Sequence, residues 1–360
     1  MRVFINGRFL TQQTTGVQRV ACEIVRQFDS MLDNGKINKN QHELILCSPK
    51  QIMHELNLQH IPVKSLGKQK GHLWEQTTLP ISTSGSFLVN FCNMAPLIKR
   101  RTVVTIGDAS VYAIPQTYSP SFRYWYQWMI RLLGRTAIRI LTYSEFSRRE
   151  LIRYANIPPS KIDVIPLGGD HFISMLSDPE IWNQYNIGDK PYILAVSSMN
   201  AQKNFRRIVD ALSLLDQRLC DVIIIGGSNP GVFSKIKIDF PKNVRWIGYV
   251  SDAVLKALYQ KAVCLVYPSL YEGFGLPPLE AMDCGCPVIV SNTASLPEVC
   301  GDAALYCDPH DPANIAHQIS LLLEDSTLQD ALRSKGLKHA AQFTWAKTAE
   351  KTWQVIESLL

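Results

Sequence analysis

Two series of short apolar, β-branched runs punctuate this chain, and they restrict its fold more than any other feature. The first series is RVFIN, ELILC, FLVNF, TVVTI, IRILTY and DVIPL; the second is YILAVS, DVIIIG, VRWIG, VCLVYP and PVIVS. Runs that are apolar throughout suit strands covered on both faces, which means parallel sheets with crossover helices between successive strands. At 360 residues the chain also exceeds the size at which a single core stops growing. The expected fold class is therefore α/β, with two Rossmann-like, doubly wound parallel-sheet domains facing across a cleft.

The apolar pattern is interrupted between Leu167 and Pro191 by glycines, aspartates and prolines, which places the boundary there. Residues 1–170 are read as the first domain, residues 171–342 as the second, and residues 343–360 as a closing helix that crosses back to the first. In that helix Trp345, Ala349, Trp353 and Ile356 share one stripe. Ser147 and Glu150 fit a capping box, which is a structural assignment.

Charge and cysteine content exclude several function classes. The net charge is +6, and no lysine-rich tail or Arg-Gly run gathers it into an arm for nucleic acid. Nine scattered cysteines lack the spacings of a zinc site, so they are expected to be reduced thiols. The N-terminus enters a strand without a signal core, and no apolar run approaches the roughly 18 residues of a membrane span. Hence a cytoplasmic location is expected. No G-x-G-x-x-G follows the first strand, which disfavours a nicotinamide dehydrogenase.

In doubly wound sheets ligands bind beyond the carboxyl ends of the strands, so the segments that follow strands are the places to look. Gly16 opens a helix whose amides could hold a phosphate or sugar group, although a glycine there could equally be a simple cap. Lys203, between a strand and a helix with Arg206 and Arg207 beside it, is placed to neutralise phosphate. YEGFGLPPLE, Tyr271 to Glu280, sets Glu272 and Glu280 around Gly273, Gly275 and two prolines. The prolines fix a helix start, with Glu280 expected in its first turn and Glu272 on the preceding loop. Helix-dipole compensation would account for Glu280 but leave Glu272 and the glycines without a role. A hydrolytic acid/base pair would need two carboxyls flanking a scissile bond. The intervening turn suits instead a ligand with an anionic middle and hydroxyls at both ends.

With these segments in place, SSMNAQKN, WIGYVSD, YPSLYEGFGLPPLEAMDCGCPVIVSNTASLPEV and GDAALYCDP resemble family 4 of the retaining nucleotide-sugar glycosyltransferases, which have the GT-B fold. TYSEFSRRELIRY and VIPLG extend the resemblance into the first half. It implies that Glu280 holds the donor ribose and that Glu272 contacts the donor sugar. It further implies that Gly275 and Leu276, with Gly273 and Phe274 beside them, present amides to sugar or phosphate, and that Lys203 binds the diphosphate. Gly248, Tyr249 and Val250 would line the base pocket, and Gly16 would approach the diphosphate or acceptor from the other domain. The donor is a nucleoside diphosphate sugar, with GDP and mannose favoured through similarity to bacterial polysaccharide mannosyltransferases. The family usually needs no metal, and no cofactor is expected.

Two departures from the family pattern stand out. Relatives carry an arginine six residues ahead of the lysine, where this chain has Ser197 and neighbouring Ser198, leaving Arg206 as the nearest replacement and Ser198 as a donor contact. They also carry a His-Asp pair where this chain has Gly107-Asp108, so Asp108 becomes the catalytic candidate of the first domain. The expected acceptor is a saccharide or lipid-linked saccharide. Interleaved arginines and aromatics over Ser119 to Tyr154 point to a peripheral contact with the inner membrane, or else to a solvated, partly buried helix. A nucleotide-sugar epimerase and a catalytically silent subunit of a transferase complex are the competing readings.

Overall fold

The computed structural model describes all residues except 179, 186, 197–200, 217–218 and 228–242. Two compact units emerge. The first comprises Met1–Ala109, Tyr124–Gly168 and Trp345–Leu360, and the second comprises Ser110–Arg123 and Gly169–Thr344.

The first unit is built on a seven-stranded sheet of β1 (Arg2–Asn6), β2 (Glu43–Ser48), β3 (Val63–Ser65), β4 (Phe87–Asn90), β5 (Thr102–Thr105), β6 (Arg139–Thr142) and β7 (Ile162–Val164). Its order is β3-β2-β1-β4-β5-β6-β7, and every pairing is parallel. The second carries six strands, β8 (Tyr192–Val196), β9 (Asp221–Ile225), β10 (Val244–Gly248), β11 (Cys264–Tyr267), β12 (Val288–Ser291) and β13 (Leu305–Cys307). Its order is β10-β9-β8-β11-β12-β13, again parallel throughout. In each sheet the order reverses once, between β1 and β4 in the first and between β8 and β11 in the second. Loops leaving two adjacent strands diverge at such a reversal, which opens a crevice at their carboxyl ends.

All eleven apolar runs of the sequence form strands. β5 and β8 are buried along their whole length, as a doubly covered sheet requires. β3 and β13 have only three residues each, and β3 is exposed throughout, so neither carries the continuous apolar signal. In the second unit Ile193, Val222, Ile224, Val266 and Ile289 pack against Phe205, Ile208, Ile315 and Ile319 from the flanking helices.

The helix Trp345–Glu357 belongs to the first unit. Trp345, Ala349, Trp353 and Ile356 are all buried, and the Trp353 ring meets Phe28 of the helix Gly16–Asp33 edge-on at 5.8 Å. The capping expectation at Ser147 needs correction. The helix Glu145–Ala155 is capped by Ser144, whose side chain accepts from the Ser147 amide at 3.0 Å. The helix starts one turn earlier than the Ser-x-x-Glu spacing suggested.

Truncating Trp353 to Ala should remove about 3–5 kcal/mol from the stability of the first unit, the usual cost of emptying a buried aromatic site. Urea unfolding followed by far-UV circular dichroism measures this directly; a loss below 1 kcal/mol would mean that the closing helix does not anchor the unit.

Candidate functional site

The second unit's strand-order reversal holds most of the residues that the sequence singled out. Lys203 ends a short helical turn, Ala201–Lys203, after β8, and Glu272 lies in the loop after β11. Their side chains meet, with Lys203 Nζ 2.6 Å from Glu272 Oε1. Tyr267, the last residue of β11, completes a triangle: its hydroxyl donates to Glu272 Oε1 at 2.9 Å and accepts from Lys203 Nζ at 3.0 Å. Burial alone would push the Lys203 ammonium down, but the adjoining Glu272 carboxylate and Tyr267 oxygen outweigh it and hold the ammonium above the usual lysine range. Lys203 is therefore a fixed cation at neutral pH.

The loops are pinned to each other by backbone-directed side chains. Gln202 Nε2 donates to the Tyr271 carbonyl, and the Leu270 amide donates to the Gln202 carbonyl at 2.9 Å. Asn204 Nδ2 donates to the carbonyls of Pro268 and Pro309, at 3.0 and 2.6 Å. From β12's side the Ser295 hydroxyl reaches the carbonyls of both Glu272 and Phe274 at 3.0 Å. Such satisfied polar contacts hold a loop in one geometry without a ligand, which is the preorganisation that a charge-binding site needs.

Gly275 caps the helix Leu276–Asp283 with a φ of 100°, and a Cβ there would lie 2.5 Å from Leu296 Cδ2. Only glycine meets both conditions. The turn displaces the helix start to Leu276, so the expectation that Glu280 lies in the first turn is corrected: it is the fifth helical residue and faces inward at 7% exposure. Pro277 and Pro278 bring no N–H, so among the first four positions of this helix end only Gly275 and Leu276 can donate. Glu280 is held by the Tyr259 hydroxyl at 3.4 Å and by His171, whose Nε2 lies 3.2 Å from Oε1.

Asp283, at the end of that helix, shares this acidic corner. Burial, the nearby carboxylates of Asp170 and Glu280, and a partial offset from His171 together push its carboxyl up to about 7.

The remaining candidates are distributed as follows. Arg206 is exposed, whereas Arg207 pairs with Asp210 at 3.3 Å on the same helix. Ser198 lies outside the described residues. Gly248 ends β10 after a register shift that follows Trp246; Tyr249 is exposed and Val250 is buried. Phe274 is buried with its ring 6.1 Å from Phe343, which makes it a packing residue of the loop. Gly16 and Asp108 belong to the first unit. Gly16 follows a reciprocal Thr15–Gln18 cap, and a side chain there would meet nothing within 4 Å. At Gly107 a Cβ would lie 2.8 Å from Tyr143 Cε2, so the tyrosine ring fills the space that a side chain at this position would take. Tyr267, His171 and Tyr259 were not anticipated. Tyr267 sits at a strand end, the position where a signal existed, whereas His171 lay in a stretch that reads as a linker. Among the described residues no cluster of His, Cys, Asp and Glu has the makings of a metal site, and all nine cysteines are free thiols.

The Asp283 carboxyl titrates higher in the folded protein than in the unfolded chain, so the native state binds more protons between about pH 4 and 7 and loses stability as pH rises through that window. Asp283→Asn should abolish this component. Thermal melts at pH 5 and pH 8 should show the variant gaining on the wild type only at the higher pH; parallel melting curves at both would remove Asp283 from the account.

The family model for group 1 glycosyl transferases matches residues 177–339, which hold all of the Lys203, Glu272 and Glu280 constellation. O-antigen chain mannosyltransferase B of Escherichia coli is 36% identical over 265 residues, covering 70% of this chain and 69% of that protein. The serotype-specific mannosyltransferase WbdA of Escherichia coli is 30% identical over 244 residues, covering 64% of this chain but only 30% of that longer protein. Among solved structures, HepE of Anabaena in complex with UDP and glucose superposes over the full length of both chains with a TM-score of 0.75 and 17% identity, a likeness of fold. With the family match lying over the Lys203–Tyr267–Glu272 triangle and one relative aligned across more than two thirds of its length, the chain belongs to the group 1 glycosyltransferases, with the GT-B fold.

Proposed function

We propose that this chain is a retaining mannosyltransferase that moves mannose from a nucleoside diphosphate sugar to a hydroxyl of a growing, O-antigen-type polysaccharide. The observation that carries the reading is the buried Lys203–Tyr267–Glu272 triangle, set beside a glycine-turned helix end with Glu280 one turn further on. A largely buried lysine paired to a carboxylate is costly to desolvate, and hydrophobic residues would often serve stability as well or better. A diphosphate ligand gives the arrangement a purpose. The donor's mannose would bridge to Glu272, its ribose to Glu280, and its phosphate oxygens to Lys203, Arg206 and the amides of Gly275 and Leu276. In this reading no metal or other cofactor takes part.

In the transfer step the bond between the anomeric carbon and the phosphate oxygen breaks, and its electron pair leaves with the diphosphate. Lys203 stabilises the charge that grows there. The acceptor oxygen forms the new bond on the same face, and its proton passes to a phosphate oxygen of the departing group. The protein then supplies position and charge rather than a strong base. The relatives named for mannosyl transfer support mannose as the transferred sugar, and GDP is the nucleotide this reading pairs with it. The aromatic rings of Tyr124 and Trp128, exposed on the helix Pro120–Thr136 with Arg131 and Arg135, suit contact with an anionic leaflet bearing a lipid-linked acceptor. No helix among the described residues is long and apolar enough to cross a membrane. A peripheral, cytoplasmic-face location fits this reading.

A thermal-shift screen of UDP, GDP, dTDP and ADP sugars tests the donor site. GDP-mannose should raise the melting temperature of the wild type, and Glu280→Ala should lose the shift. Lys203→Ala and Glu272→Ala should each lose at least tenfold in turnover, about 1.4 kcal/mol of transition-state stabilisation. A full nucleotide shift in Glu280→Ala, or unchanged rates in both other variants, would overturn the assignment.

A further inference from the structure

A second buried cation–carboxylate pair occupies the strand-order reversal of the first unit, and the donor site makes no use of it. Arg8 follows β1, and its Nε lies 3.2 Å from Oε2 of Glu75. Arg8 is 6% exposed and Glu75 is 1% exposed. Glu75 Oε1 accepts from Asn6 Nδ2 at 2.7 Å, and Asn6, the last residue of β1, also donates to Asn90, the last residue of β4, at 3.0 Å. The network thus lies at the carboxyl ends of the two strands between which the order reverses, where a doubly wound sheet binds ligands.

The local backbone is unusual in the same place. Trp74–Thr78 forms a π-helical turn between the helical segments Gly71–Leu73 and Leu79–Ser82. Such turns are rare and recur at functional sites. Here the turn buries two consecutive side chains, Trp74 and Glu75, and Gln76 ties it to the backbone of Ala95 and Leu97 at 3.0 and 3.1 Å. Burial alone would raise the Glu75 carboxyl, but Arg8, with His72 and Asn6, holds it below the usual carboxylate range, so it stays ionised.

His72 connects this network to solvent. Its Nδ1 lies 3.2 Å from Glu75 Oε2, and its side chain is 39% exposed. A neutral ring with Nδ1–H donating to the ionised Glu75 presents Nε2 as a hydrogen-bond acceptor. The ring of Trp125, 38% exposed, stands edge-on to His72 at 6.1 Å and tilts against Trp128 at 5.5 Å. An aromatic face beside a fixed acceptor matches a sugar, whose C–H face is apolar and whose rim is hydroxyls. At Gly107, by contrast, the side-chain space is filled by Tyr143, so that position offers no group of its own.

We propose that His72 and Trp125 form the acceptor-sugar subsite, His72 accepting a hydrogen bond from an acceptor hydroxyl, Trp125 covering the sugar's apolar face, and Glu75, itself held by Arg8 and Asn6, acting as a positioning residue through His72. The proposal rests on the transferase reading above, and the test separates the two. Initial rates are measured with GDP-mannose and octyl α-mannoside as acceptor for the wild type, His72→Phe, His72→Gln, Glu75→Gln and Trp125→Ala. His72→Phe and Trp125→Ala should raise the acceptor KM at least tenfold while leaving the donor KM and the GDP-induced thermal shift at wild-type values. His72→Gln, which keeps an acceptor atom, should recover part of the loss. Glu75→Gln should follow His72→Phe if it folds, and the half-exposed His72 and Trp125 variants carry the test if it does not. A wild-type acceptor KM in His72→Phe overturns the subsite, as does a donor KM that rises in step. So does a Trp125→Ala variant that loses binding to phosphatidylglycerol vesicles yet keeps its KM for the soluble acceptor, since the ring then serves a membrane. A wild type that shows neither nucleotide shift nor transfer removes the parent reading as well.

Discussion

Parallel strand pairing is the constraint from which the rest of this structure follows. A parallel sheet sends every strand's carboxyl end to the same edge, and each crossover must return across a face, so helices cover both sides and the strands become apolar throughout. The single reversal of strand order in each sheet then leaves one place where neighbouring loops part. Each unit sets a cation–carboxylate pair at that place. In the second unit the place holds Lys203 and Glu272; in the first it holds Arg8 and Glu75.

The two pairs share a construction. Each sets a buried or largely buried cation against a buried carboxylate, and each adds a ring with a polar atom, Tyr267 in one and His72 in the other. Neither pair is explained by stability, since desolvating two charges consumes most of what their attraction returns. They differ in their access to solvent. The Lys203 and Glu272 side chains are 14% and 10% exposed, whereas His72 is 39% exposed beside the partly exposed Trp125 and Trp128. The first arrangement suits a ligand that must be desolvated before it reacts; the second suits one that arrives and leaves with its chain still in water.

Much of this was legible in the sequence because the underlying signals are local. Continuous apolar runs fix buried parallel strands, and all eleven runs became strands; β3, exposed throughout, and β13 escaped, whereas the equally short β7 was legible because its run continues to the buried Ile165 and Leu167. The YEGFGLPPLE segment announced its turn through Gly275, whose left-handed φ no other residue adopts so cheaply. Its detail was less legible. The Gly275 turn moved the helix start back to Leu276 and put Glu280 a turn deeper than the prolines implied. Hidden altogether were contacts made across long sequence separations: Tyr267 against Lys203, His171 against Glu280, Arg8 against Glu75. No spacing rule links residues 64, 67 or 109 positions apart when the fold alone brings them together.

The Lys203–Glu272 bond bears on how a donor would be received. A lysine already satisfied by a carboxylate and a phenol offers phosphate less than a free cation would, because its charge is balanced before the ligand arrives. A diphosphate carries about two negative charges at neutral pH, so binding through Lys203 alone would leave the site anionic. Three consequences follow from charge balance. Glu272 would exchange part of its contact with Lys203 for sugar hydroxyls, which are neutral donors and would cost it little. Lys203 can then turn a proton towards phosphate while keeping Tyr267 as its anchor, since an ammonium has three donors to distribute. The residual charge would fall to the Gly275 and Leu276 amides and to the exposed Arg206, and the glycine turn would then act electrostatically as well as sterically.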